Sequence, residues 1–234
     1  MASHAEPVGE DQDPHCLHAD RVAPLLAGAP WRRLLVVGDT DATGRGEPVH
    51  GYRRAGWADR VAEALRTVQP SAAYLNLGHR DLPASAVRAR QLKPALEFCG
   101  DLAVVAAGGD DAFRASFDID TVGAELGRII RPLRDAGCDV LTVGWFDAAG
   151  AGAPQARGGK DAPSTRLRQL AERTHAVSMQ HGGIHVDLAG HPAGKRPGLH
   201  GADGRRLTMR GHAIVAAAVV RALGAHLGSL REWA

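Results

Sequence analysis

Cysteine is scarce in this chain of 234 residues. Cys16, Cys99 and Cys138 are odd in number and widely scattered, which implies no disulfide framework. Lysine is scarcer than the charge balance suggests. It occurs only at Lys93, Lys160 and Lys195, so arginine supplies nearly all the positive charge, a pattern that reads as codon bias. An excess of one sign is also missing: 28 Lys+Arg stand against 26 Asp+Glu, a net charge of +2. That balance argues against a nucleic-acid partner or an anionic membrane surface. No apolar run reads as approaching the ~20 residues a membrane-spanning helix needs. The stretch from Met1 to Pro14 is acidic and polar and lacks the basic and apolar regions of a signal peptide. The expectation is a soluble, cytoplasmic protein with neither a nucleic-acid nor a membrane partner. No internal repeat is visible.

What is present is an alternation of short apolar runs and amphipathic segments. Residues 1–22 read as a flexible N-terminal extension, with His15-Cys16-Leu17-His18 a polar tail rather than a metal site, and 23–234 as a single domain. Leu34–Val37 reads as a first strand, Ala72–Leu75 as a second, Leu102–Ala106 as a third, Val140–Val143 as a fourth and Ile184–Asp187 as a fifth. Helices are expected over 57–68, 85–98, 120–136, 165–181 and 211–223. Asp120 is the candidate cap of the third and Gly137 its stop, and Gly224 is the candidate stop of the last. Ala148–Ser164 and His191–Gly204 read as long loops, the first a candidate flap. Strands that alternate with helices should be parallel and covered on both faces, giving a three-layer α/β/α sandwich with a five-stranded sheet.

Four blocks carry a more specific signal. They are Gly38-Asp39-Thr40, Tyr74-Leu75-Asn76-Leu77-Gly78-His79-Arg80-Asp81, Ala107-Gly108-Gly109-Asp110-Asp111, and the run from Asp203 to His212. In order and in spacing they resemble the SGNH (GDSL) hydrolases. In that family a strand ends in Gly-Asp-Ser, and an Asn-Leu-Ala-x-x-Gly loop, a Gly-Gly-Asn-Asp turn and an Asp-x-x-His-Leu-x-x-x-Gly-His segment follow. The resemblance covers nearly all of Arg32–Leu227 and implies a flavodoxin-like α/β fold and acyl-ester chemistry.

The resemblance also locates departures. The family uses a serine nucleophile, a glycine N–H and an asparagine side chain as oxyanion donors, and a histidine base oriented by an aspartate. The matching positions here are Thr40, Asp81, Asp110, Arg206 and Asp203, and only the aspartate is kept. His212 matches the histidine at the helix start, not the base. Threonine carries a hydroxyl, but its β-methyl crowds the line of attack. It needs a base, and a guanidinium at Arg206 cannot accept a proton. Losing one oxyanion donor costs on the order of 10²–10³ in rate, and an ionised Asp110 opposes the charge that must develop. Two loop histidines could replace the base: His79, inside the second block, is the better placed by sequence, and His200 the other.

Two readings from different classes follow. In the first, the chain is a degenerate member without ordinary ester hydrolysis, acting as a ligand-binding or partner module. In the second, it is an enzyme with altered chemistry, either a threonine-nucleophile esterase or acyltransferase or a carboxylate- or metal-assisted catalyst using Mg²⁺, Ca²⁺ or Mn²⁺. No cofactor is otherwise implied. With Arg206 the one cation expected in the pocket and Asp203 paired to it, the ligand should be a neutral or cationic small molecule.

Overall fold

The computed structural model describes residues 9–146 and 162–232. Its centre is a sheet of five parallel strands: β1 (Arg33–Gly38), β2 (Ala73–Asn76), β3 (Leu102–Ala106), β4 (Asp139–Val143) and β5 (Ile184–Val186). Their spatial order is β2-β1-β3-β4-β5. The chain steps to one side of β1 to make β2, then returns to the other side to make β3. Neighbouring strand ends at this reversal lead off in opposite directions and leave a crevice, which is where open α/β sheets bind ligands. The turns after β1 and β3 carry Thr40 and Asp110.

Strand alternation builds two cores. On β1, Leu34 and Val36 face one layer while Leu35 and Val37 face the other; on β3, Leu102 and Val104 oppose Ala103 and Val105. Fully apolar strands suit a sheet covered on both sides. Helices α1 (Ala19–Leu26), α2 (Trp57–Arg66) and α7 (Met209–Glu232) cover the first face. The second is covered by α3 (Ala84–Glu97), α5 (Ile119–Asp135) and α6 (Pro163–Gln180); the single turn α4 (Gly109–Ala112) follows β3. In α5, Val122, Leu126, Ile129, Ile130 and Leu133 are buried along one stripe.

Four sequence expectations need correction. The cap of α5 is Asp118, whose side chain accepts from the Thr121 N–H at 2.7 Å, and Asp120 instead pairs with Arg173. Gly224 does not stop α7, which runs on to Glu232. An added Cβ there would lie 3.0 Å from the Leu25 carbonyl, so this glycine serves the close approach of α1. At 24 residues α7 is long and apolar enough, by length and composition alone, to cross a membrane; here it packs against α1, α2 and β5.

The fourth concerns the N-terminal segment. Within the described residues 9–22 the chain is not a loose extension. Asp13 is fully buried and accepts from Tyr52 Oη and from Arg210 Nε, each at 2.8 Å, and from the His15 N–H. Glu10 pairs with the buried Arg60, and Arg221 donates to the carbonyls of His15 and Cys16. These polar anchors, spaced without periodicity, fix the segment across α2 and α7. The flap read over 148–164 lies outside the described residues up to 161; α6 begins at Pro163.

Candidate active site of the family and its substituted residues

The crevice between β1 and β3 is built from backbone contacts that allow little tolerance. The last residue of β1, Gly38, lies so near β3 that an added Cβ would meet the Ala106 carbonyl oxygen at 2.1 Å. Beyond the end of β2 the edge of Gly38 has no strand partner. The buried side chain of Gln91 takes over, accepting from the Gly38 N–H and donating to its carbonyl, both at 2.9 Å. Asn76 donates to the Ala42 carbonyl and accepts from the Gly78 N–H, tying the Thr40–Thr43 turn to the following loop. Asp111 accepts from the Ala84 N–H and so caps α3 from a distance. His212, 1% exposed, accepts from the Trp57 N–H at 3.3 Å and caps α2, whose own cap residue Gly56 has no side chain to do so. Burial in apolar surroundings lowers the His212 pKa to about 4, so the ring is neutral.

Around this scaffold lies a cavity of about 290 Å³ that is lined by Thr40, Asp81, Asp110, Asp203 and Arg206. The sequence-derived positions are therefore brought together, with one exception. His79 is exposed and does not line the cavity; its Nδ1 lies 2.8 Å from the Arg80 carbonyl oxygen. His200 does line it, beside the ring of Phe146, and burial pushes its pKa below the ordinary histidine value.

The hydrogen bonds form a directed chain. The Asp81 N–H donates to Thr40 Oγ1 at 3.1 Å, and Thr40 Oγ1 donates to Asp110 Oδ2 at 2.7 Å. The same Asp110 oxygen accepts from the Thr40 N–H at 3.3 Å. Asp81 has φ 60°, the left-handed region that favours glycine, the residue the family pattern has there. The N–H that the pattern uses as a donor is thus still aimed at the nucleophile position, though a carboxylate side chain now accompanies it.

Asp203 and Arg206 satisfy each other. Asp203 Oδ2 accepts from Arg206 Nε at 2.7 Å, and Oδ1 accepts from the backbone N–H groups of Arg205 and Arg206. The net effect lowers the Asp203 pKa to about 2 against the desolvation that opposes it. The loop that carries the pair is held by Glu47, whose side chain accepts from the Ala202 N–H and whose carbonyl accepts from the Met209 N–H.

Three groups of lining residues were not legible as site residues. First, Asp39 and Asp41 flank Thr40 and join Asp110 at the floor. Asp39, 1% exposed, is raised well above the ordinary carboxylate pKa, first by burial and then by Asp110 and Asp41. Asp41 is raised to about 7 by desolvation and by Asp110, with a hydrogen bond from Trp145 working the other way. Second, Arg80 and Arg205 line the mouth with Arg206, so Arg206 is not the sole cation. Third, Trp57, Phe113, Trp145 and Phe146 supply aromatic wall. The one local signal was the position of Asp39 and Asp41 beside Thr40 at the strand end. Nothing periodic marks the others. Among the described residues no three His, Cys, Asp or Glu side chains are arranged to hold a metal ion.

A parallel five-stranded sheet between two helical layers, with a cavity over the β1/β3 reversal, defines a flavodoxin-like α/β/α protein with its crevice at the topological switch point. The GDSL-like Lipase/Acylhydrolase family matches residues 36–214, and the chain belongs to that family. No curated protein matches it. Among solved structures it is similar to the α/β hydrolase LAE5 from the metagenome of Lake Arreo, Spain. The TM-score is 0.67 at 16% identity, covering 82% of this chain and 95% of that one. The lipase/acylhydrolase from Enterococcus faecalis gives 0.64 at 19% identity, covering 83% and 96%. The acetylxylan esterase Axe2 from Geobacillus stearothermophilus gives 0.65 at 16%, covering 82% and 94%. At these identities the likeness is one of fold.

Proposed function

We propose that this family member does not hydrolyse esters by the family mechanism and uses its cavity to bind a small neutral or cationic ligand. The observation that carries the reading is the Thr40–Asp110 contact. The acceptor position beside the Thr40 N–H, where an oxyanion would be stabilised, is occupied by a carboxylate oxygen that also takes the Thr40 hydroxyl proton. A tetrahedral intermediate there would set negative charge against negative charge at short range, where the effective dielectric is low. At the base position the Arg206 guanidinium is held by Asp203 and accepts no proton. The same floor favours a ligand group that donates hydrogen bonds or carries positive charge.

One observation favours a second reading. Thr40 Oγ1 and Asp110 Oδ2 are 2.7 Å apart, within the reach of a nucleophile and its base. In that case the chain would be a threonine esterase or acyltransferase with Asp110 accepting the proton. A fluorophosphonate probe separates the two, because it requires an activated nucleophile. The binding reading predicts no covalent adduct by intact mass. Stoichiometric labelling that disappears in Thr40→Ala would replace it with the second.

A further inference from the structure

The cavity is bipolar along its depth. At the floor, Asp110 is 8% exposed; its Oδ2 is engaged by Thr40, while its Oδ1 has no hydrogen-bond donor among the described residues. This second oxygen of an otherwise buried carboxyl opens to the cavity, where a ligand donor can take the place of water. At the mouth, the exposed Arg80 guanidinium makes no hydrogen bond or ion pair among the described residues. Arg205 lies 4.2 Å over the Phe113 ring and its guanidinium pairs with no carboxylate among the described residues. Three lining guanidiniums, Arg80, Arg205 and Arg206, thus stand with two lining carboxylates outside the floor, Asp81 and Asp203, leaving one positive charge in excess. The half-buried Trp145 also lines the cavity, a surface that accepts an apolar spacer or a cation over the ring face.

We propose that the ligand is a zwitterion. Its ammonium end lies against Asp110 Oδ1, its carboxylate end lies at the mouth with Arg80, and an apolar spacer runs between them. This deepens the binding reading above and rests on it. A simple amine satisfies Asp110 and leaves the Arg80 charge unanswered. A simple carboxylate satisfies Arg80 and meets an unpaired carboxylate at the floor. Only a molecule with both charges, held apart, answers both groups in a cavity of about 290 Å³.

The test is calorimetric titration of the full chain with matched probes: hexylamine, hexanoate and 6-aminohexanoate, with 4-aminobutyrate and 8-aminooctanoate to vary the spacer. The best amino acid should bind about fivefold tighter than hexylamine, the worth of one well-formed exposed ion pair. Hexanoate should not bind measurably. Arg80→Ala, an exposed substitution that leaves the fold in place by circular dichroism, should erase that advantage and leave hexylamine unchanged. Asp110→Asn should weaken hexylamine and the amino acids together. Equal affinity for hexylamine and every amino acid overturns the zwitterion and leaves the Asp110 reading standing. Tightest binding of hexanoate, unchanged in Asp110→Asn, overturns both, as does a failure of every probe to bind at millimolar concentration.

Discussion

Asp41→Asn separates the electrostatics of the cavity from its shape. In the folded chain the Asp41 carboxyl is raised to about 7 from an ordinary 3.8, by desolvation first and then by Asp110. A folded acid with a raised pKa holds its proton where the unfolded chain has already released it. The folded state therefore binds more protons between about pH 4 and 7, and stability falls as pH rises through that window. Below it the carboxyl is neutral in both states and the cost is absent. At 1.36 kcal/mol per pKa unit the full shift corresponds to about 4 kcal/mol, and solvent at the partly exposed side chain screens it to about 2 kcal/mol. Asparagine keeps the acceptor that meets Trp145 and cannot ionise. The variant should therefore be more stable than the wild type by about 2 kcal/mol at pH 8, or about 4–8 °C in Tm for a chain of this size. It should match the wild type near pH 4. Urea unfolding at the two pH values measures this directly. Parallel stabilities across the range would show that Asp41 is ionised without cost and that the floor is not the crowded carboxylate cluster described above.

Two further substitutions probe the scaffold. His212 is neutral in the fold with its pKa lowered to about 4, so it disfavours the folded state increasingly as pH drops from 6.5 towards 4. His212→Ala should cost about 2–4 kcal/mol at pH 7 through the lost packing and the lost cap of Trp57, and its deficit should narrow by acid titration to pH 4. Asp13→Ala strips the partner from the buried Arg210 and should lower stability by about 3–5 kcal/mol in chemical denaturation. A neutral result would return residues 9–22 to the status of a loose extension.

The fold was legible because its determinants are local and periodic. Four- and five-residue apolar runs such as Leu34–Val37 and Leu102–Ala106 alternate with amphipathic stretches such as that around Leu126 and Ile130, and that alternation permits few architectures. What was missed depends on long-range contacts. Gly224 reads as a helix stop until α1 is seen to require its missing side chain. The N-terminal segment reads as a polar tail until Asp13 meets Arg210, a contact across 197 positions of sequence. At the site, the family pattern brought Thr40, Asp81, Asp110, Asp203 and Arg206 to one cavity. It gave no warning of the aromatic walls or of Arg80 and Arg205, which come from the tips of different loops. The two histidines differ for a similarly local reason. The His79 N–H bonds the Gly38 carbonyl while its ring turns to the Arg80 carbonyl, whereas His200 is drawn inward by the ladder contact with Leu207.

The most direct test of the central claim is ester turnover by pure protein. Acetyl, butyryl and longer p-nitrophenyl esters would be assayed for the wild type beside Thr40→Ala and Asp110→Asn, between pH 6 and 9. With a carboxylate in the oxyanion position and an arginine in place of the base, the three proteins should give the same rate, that of background hydrolysis on a protein surface. Turnover by the wild type that vanishes in both Thr40→Ala and Asp110→Asn would contradict the account. It would make Thr40 a working nucleophile with Asp110 as its base.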